Sequence, residues 1–137
     1  MKVITVSTKN EALDNVLVRG KVFIVGQNID WDLEFDGLDN ESVLFNAYID
    51  DKVVGAARLY TNKVGRVATL DEFRKQGVAT AIMTAIEEYA RENNINTLKL
   101  NAQLYVADFY EKLGYIRYGS IFQEAEIDHV AMKKKLK

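Results

Sequence analysis

Apolar positions recur along this chain with two alternating periods, and the switches between them mark the elements. Residues 2–7 alternate well enough for a short strand. Thr8-Lys9-Asn10-Glu11 then has the form of a capping box, with Thr8 as N-cap and Glu11 three residues on. Leu13, Val16, Leu17, Val22 and Phe23 follow with roughly helical spacing, and Gly26 is the predicted stop. Residues 27–41 hold the turn signals Asp36-Gly37 and Asp39-Asn40, so an irregular segment is expected there.

Three strands are predicted next, over 43–49, 53–60 and 64–70. They are joined by an Asp50-Asp51 turn and a turn near Thr61-Asn62-Lys63, and connections that short make an antiparallel meander. The clearest helix covers about 76–92, where Ala79, Ile82, Met83, Ile86, Tyr89 and Ala90 form one apolar stripe. Asn93-Asn94 ends it and residues 96–100 read as a strand. A short helix over about 105–113 stops at Gly114. Tyr115–Tyr118, a Gly119-Ser120 turn and a strand near 126–134 finish the chain. The order βα, βββ, αβ, αββ predicts a mixed α/β sheet, mostly antiparallel, flanked by helices.

The chain has 137 residues with no repeat and no linker, which predicts one domain over 1–137. Cysteine is absent, which removes a disulfide framework, a thiolate metal site and a cysteine nucleophile together. His129 is the only histidine, so no multi-histidine metal site is expected. A formal charge of −2 argues against general nucleic-acid affinity. No apolar run approaches membrane-spanning length, and the N-terminal run is too short for a signal peptide. A soluble, cytoplasmic protein with no membrane or nucleic-acid partner is expected.

The charge is uneven. Eight acids and no lysine or arginine lie between Asp30 and Asp51, which leaves the rest of the chain at +6. Two readings are open: a solvated acidic loop with a basic tail, or two binding surfaces of opposite preference.

The most informative stretch is Arg74-Lys75-Gln76-Gly77-Val78-Ala79, which joins a strand to the best helix. A helix N-terminus offers unpaired N–H groups and a positive dipole end to an anion. Gly77 lets backbone approach closely. Basic residues oppose the dipole at that end, so Arg74 and Lys75 ask for another reason, and a nucleotide-type phosphate supplies one. The spacing matches neither G-x-x-x-x-G-K-[ST] nor G-x-G-x-x-G.

Arg74-x-x-Gly77-x-Ala79 resembles the Q/R-x-x-G-x-G/A pyrophosphate motif of the Gcn5-related N-acetyltransferases (GNAT). Val67-Ala68-Thr69 lies where that family has a splayed strand whose backbone pairs with the pantetheine arm. Phe109-Tyr110-Glu111-Lys112-Leu113-Gly114-Tyr115 is similar to its late F-Y-E-K-x-G-F/Y segment, which puts Tyr110 near the thioester sulfur. Val22-Phe23-Ile24-Val25-Gly26-Gln27, Glu34-Phe35-Asp36, Asn101-Ala102-Gln103 and Asp128-His129-Val130-Ala131-Met132 look like the ElaA-like branch, with Gly26 in place of its usual Glu and Gln103 where many members have Asn. The resemblance implies a GNAT-like sheet with splayed strands at an acetyl-CoA site. It implies cofactor contacts from Val67, Ala68, Thr69, Arg74, Lys75, Gln76, Gly77, Val78, Ala79 and Gln103, and no metal.

The implied reaction is acetyl transfer from acetyl-CoA to a primary amine by direct attack, since no cysteine exists to carry the acetyl group. Tyr110 would protonate the departing thiolate; from position alone it also fits a core aromatic. His129 could accept the amine proton or be a core histidine, with Glu34, Asp36 or a water chain as other routes. Trp31 and Phe35 are candidate walls of the acceptor pocket. The acidic segment points to a cationic acceptor: a small-molecule amine, polyamine, amino sugar or exposed lysine. A non-catalytic acyl-CoA sensing module is the rival reading, a ligand-free interaction domain ranks last, and a homodimer is compatible with the sequence.

Overall fold

The computed structural model describes residues 1–137. Its strands are β1 (Lys2–Thr5), β2 (Ser42–Ile49), β3 (Lys52–Tyr60), β4 (Lys63–Thr69), β5 (Thr97–Gln103), β6 (Ile116–Glu124) and β7 (Ile127–Lys135). Its α-helices are α1 (Lys9–Arg19), α2 (Trp31–Glu34), α3 (Val78–Glu92) and α4 (Ala107–Lys112). The seven strands make one sheet in the order β1-β2-β3-β4-β5-β7-β6. The predicted meander is β2-β3-β4, all antiparallel. α3 is the crossover that makes β4 and β5 parallel.

Helices cover the two faces unequally. On one face Val78, Ile82, Met83, Ile86 and Ala90 of α3 pack on Val54, Ala57, Leu59, Leu98 and Leu100, all buried. On the other, Val18, Val22 and Phe23 pack on Val53, Ala56 and Ala68. β3 lies between both layers and is buried from Val53 to Leu59. α1 lies over β2, β3 and β4, while on that same face of β5 and β7 the side chains of Lys99, Lys133 and Lys135 are exposed.

Two local expectations need correction. The capping box forms, with Glu11 N–H donating to Thr8 Oγ1 at 3.1 Å and Thr8 N–H to Glu11 Oε1 at 3.1 Å. The α-helix ends at Arg19, however, and Gly20–Val25 continue as a π-helix to Gly26. The buried face is Asn15, Val18, Arg19, Val22 and Phe23, whereas Leu13, Val16 and Leu17 face solvent. Polar residues win those interior places because they find partners: Asn15 Nδ2 donates to Phe45 O and Asn46 Oδ1. The extra residue per turn in the π-helix then brings Val22 and Phe23 over the sheet. The second correction concerns the last hairpin. Gly119-Ser120 is no turn; it lies within β6, where the register shifts between Tyr118 and Phe122 and Gly119 takes φ +78° as part of a bulge. The reversal is at Ala125-Glu126, both at positive φ despite residue types that carry no turn signal.

Candidate active site

β4 and β5 pair only at Lys63↔Lys99 and Val64↔Leu100, then diverge. From Gly65 to Thr69 one edge of β4 therefore faces an opening rather than a strand. A bulge opposite Ala56–Arg58 turns the β4 backbone there, with Arg66 at φ +55°. The opening is a cleft of about 1220 Å³, larger than the roughly 300–1,000 Å³ usual for one small ligand. It has room for two substrates.

The N-terminus of α3 forms one end of this cleft. Gly77 at φ +82° is its N-cap and offers no side-chain bond to the first turn. The first helix N–H to meet a carbonyl is that of Ala81, on Gly77 O; those of Val78, Ala79 and Thr80 remain open beside the cleft they line. A side chain at Gly77 would meet no protein atom within 4 Å, so the positive φ is what selects glycine. Arg74 and Lys75 flank this turn; Arg74 pairs with Asp71 at 2.8 Å on the surface. The expected cofactor residues Val67, Ala68, Thr69, Arg74, Lys75, Gly77, Val78, Ala79 and Gln103 all line the cleft. Gln76 does not, and its amide donates to Glu72 O at 3.3 Å.

Tyr110 projects from α4 into the same cleft. Its ring stands edge-on to Phe109 and Tyr115. No buried side-chain oxygen lacks a partner, so a Tyr110 hydroxyl bonded to no protein group must open to the cleft. Burial pushes its phenol well above the ordinary phenol value, so the proton stays on. His129 of β7 is buried and stands in register with Gln103 of β5. Its Nδ1 lies 2.7 Å from Ile127 O, which can only accept, so Nδ1 carries the proton and Nε2 is left as an acceptor. The ring stacks on Phe122. His129, though buried, lies in the cleft lining.

A side-chain strap joins turn and strand residues that no local pattern pairs. Gln27 and Gln103 exchange amide bonds of 3.3 and 2.8 Å, and Gln27 Nε2 also donates to Tyr105 OH at 3.3 Å. The Gln103 amide, expected to meet a cofactor, is thus held by Gln27. Only the spatial closeness of residues 76 apart in the chain reveals this pair.

Three of the eight acids in the acidic segment are held by arginines. Arg19 Nε lies 2.8 Å from Glu34 and its Nη1 2.9 Å from Asp39. Arg58 grips Asp36 at 2.8 Å and Asp39 at 3.2 Å, and Arg66 reaches Glu34 at 3.1 Å and Asp36 at 3.3 Å. Three arginines thus match three acids. The Arg58 guanidinium, bonded to Asp36, holds that carboxyl down at about 2, while burial pushes Glu34 upward. Neither carboxylate is a free base, whereas Asp32 lines the cleft and forms no ion pair. Trp31 and Phe35 are absent from the cleft lining: Trp31 is exposed, and Phe35 lies under the Arg19 guanidinium at 4.9 Å.

Residues 22–136 match the family model of the acetyltransferase (GNAT) domain. Over 98% of this chain and 99% of the relative, the chain is 34% identical to the N-acetyltransferase YjcF of Bacillus subtilis. It is 24% identical to the protein ElaA of Escherichia coli over 87% of this chain and 84% of ElaA. The fold superposes on a crystal structure of a putative N-acetyltransferase from Lactobacillus plantarum with TM-score 0.92 and 26% identity, covering 99% and 98% of the two chains. The crystal structure of E. coli ElaA matches with TM-score 0.85 and 19% identity, covering 98% and 100%. No helix is long and apolar enough to cross a membrane. The chain belongs to the GNAT family of N-acetyltransferases.

Proposed function

We propose that residues 1–137 act as a single domain that transfers the acetyl group of acetyl-CoA to a primary amine by direct attack in a ternary complex. The observation that carries this reading is the convergence on one cleft of three things: open N–H groups at the α3 N-terminus, the unpaired edge of β4, and the side chains of Tyr110 and His129 in its lining. The N–H groups of Val78, Ala79 and Thr80, with Arg74 and Lys75 beside them, suit a pyrophosphate. The edge of β4 at Val67–Thr69 suits the amides of an extended arm, and one of its N–H groups can polarise the thioester carbonyl. His129 Nε2 takes the proton the amine gives up as the new C–N bond forms. The C–S bond breaks, and Tyr110 delivers its proton to the departing sulfur.

The decisive test is Tyr110→Phe, which removes one oxygen and keeps the ring. A positioned general acid contributes about 10²–10⁴ in rate, and a thiol is already a fair leaving group. The expected loss in kcat is therefore about 10²-fold, with the KM for acetyl-CoA and calorimetric coenzyme A affinity nearly unchanged. The loss should shrink with acetyl donors whose thiols are more acidic. Wild-type turnover in the variant would return Tyr110 to a packing role. Coenzyme A binding without turnover of any amine by either protein would support the acyl-CoA sensing module instead.

A further inference from the structure

Every arginine of the chain forms an ion pair: Arg19, Arg58 and Arg66 with the acidic segment, Arg74 with Asp71, Arg91 with Glu87, and Arg117 with Asp108 and Glu111. Lys134, on the α3 face of β7, pairs with Glu87 at 2.9 Å. The opposite face of the same strands is different. Lys63 of β4 stands in register with Lys99 of β5, and Lys99 in register with Lys133 of β7. Lys135 lies two residues further along that face. All four are exposed, and none takes part in an ion pair.

Like charges directly opposite one another on adjacent strands destabilise a sheet. Lysines guard exposed sheet edges, but β4, β5 and β7 are interior strands, so that use does not apply. A row of unrelieved positive charge on interior strands fits an anionic partner. The coenzyme phosphates are too far to be that partner. Lys63 and Thr69 are six residues apart on β4, about 20 Å at strand rise, and the phosphate turn lies beyond Thr69. The row instead borders the opposite end of the cleft, which Lys63 and Asn101 line, with Lys99 about 7 Å along β5 from Asn101.

We infer that this sheet face binds an acidic peptide segment of a polypeptide acceptor, whose amine enters the cleft beside it. The inference rests on the acetyltransferase reading for the amine, and on the lysine row alone for the acidic flank. Adjacent strands lie about 4.8 Å apart, so the three lysines span about 10 Å, more than one carboxylate of a small molecule engages. Ile116 and Tyr118 extend the surface onto β6 as exposed apolar contacts, with Lys133 Nζ 5.0 Å from the Tyr118 ring centroid. The net charge of −2 and the acids at the tip of the β6–β7 hairpin, Glu124, Glu126 and Asp128, work against a nucleic acid there.

The test uses three peptides with one central lysine, flanked by glutamates, serines or lysines. Acetyl-CoA-dependent turnover at low salt should give a KM at least about tenfold lower for the glutamate peptide than for the serine peptide, narrowing as salt rises. The double variant Lys99→Glu/Lys133→Glu should lose that preference and favour the lysine-flanked peptide, with kcat on saturating serine peptide unchanged. Lys99→Gln/Lys133→Gln is the milder control for folding. Fluorescence anisotropy with the same peptides and no acetyl-CoA reads the surface independently of chemistry. Lysine-dependent binding of the glutamate peptide without turnover would leave the surface standing and sink the acetyltransferase reading. Turnover indifferent to flanking charge would do the reverse. The inference is also overturned if a single-stranded oligonucleotide binds this face more tightly, or if a small carboxylated amine gives the same lysine-dependent KM gap.

Discussion

The acidic segment and the lysine row are the two most charged regions of the molecule, and their charges meet opposite fates. Glu34, Asp36 and Asp39 each accept from arginines brought by α1, β3 and β4, so the middle of the segment is clamped. Lys63, Lys99 and Lys133 stand in register with one another and form no ion pair. One region uses charge to hold the fold, the other leaves it free for something outside the chain. A run of like signs in a sequence says nothing about which of these holds, because the partners lie elsewhere in the chain.

The largest effect should come from opening the clamp. Arg19 is fully buried and serves Glu34, Asp39 and Asn15 at once. Arg19→Ala would leave Glu34 charged and buried with only Arg66, and breaking such a pair typically costs about 3–5 kcal/mol. Urea unfolding should show a midpoint lowered to match. A loss under about 1 kcal/mol would place the pair in the weak surface class instead.

Next comes the turn where open backbone donors replace a side-chain cap. Gly77→Glu sets a negative charge beside them, and like-charge opposition in a ligand site amounts to several kcal/mol. Coenzyme A binding by calorimetry should fall at least about 10²-fold. Gly77→Ala is the control for backbone alone: φ +82° disfavours any L-residue by about 1–2 kcal/mol, but adds no charge. If both variants bind coenzyme A equally well, the anion does not sit at this turn.

A smaller effect distinguishes two acids within the clamp. The Asp36 carboxyl is held at about 2, below its ordinary 3.8. A depressed acid gives stability that is complete above its unfolded value and lost as pH falls through the folded one, here from about 4 to about 2. The shift corresponds to at most about 2.5 kcal/mol, and less for a carboxylate 31% exposed to screening water. Glu34 has the opposite sign, because burial raises it: as pH falls toward 4.5 the folded state takes up the proton first and gains stability. Asp36→Asn should therefore flatten the decline of stability between pH 4 and 2, and Glu34→Gln should not. An identical acid limb for Asp36→Asn and wild type would remove Asp36 from the linkage.

Legibility followed the same division. Elements held by a local signal were readable: the capping box at Thr8, the α3 stripe, the short turns of the meander, and Gly77 ahead of α3. So were the cleft residues tied to backbone geometry there. Features made by distant pairing were not. The burial of Asn15 and Arg19, the Gln27–Gln103 strap and the clamped acids all depend on partners 15 to 76 residues away. The π-helix and the Ala125-Glu126 reversal escaped for another reason. Tertiary packing imposes them on residues whose own preferences point elsewhere.

The smallest effect tests the lysine row without any ligand. Lys99 is the middle member, with a lysine beside it on both neighbouring strands. Replacing it by glutamate turns two repulsions into two attractions, each worth roughly 0.2–1 kcal/mol between cross-strand pairs. Solvent exposure brings the sum toward the low end. Lys99→Glu should therefore raise Tm by about 1–2 °C at low salt, on the scale expected for about 0.4 kcal/mol in a chain of this size. Lys133→Glu changes only one lysine neighbour in the row and should give about half as much. In 0.5 M salt, where the screening length is only a few Å, both gains should fade. A variant that is more stable yet weaker for the acidic peptide is what a surface kept for a partner predicts, since stability and function then draw on the same charges. A lower Tm for Lys99→Glu would mean that the row is already relieved by carboxylates in solution, and the contrast between clamped and free charge would collapse.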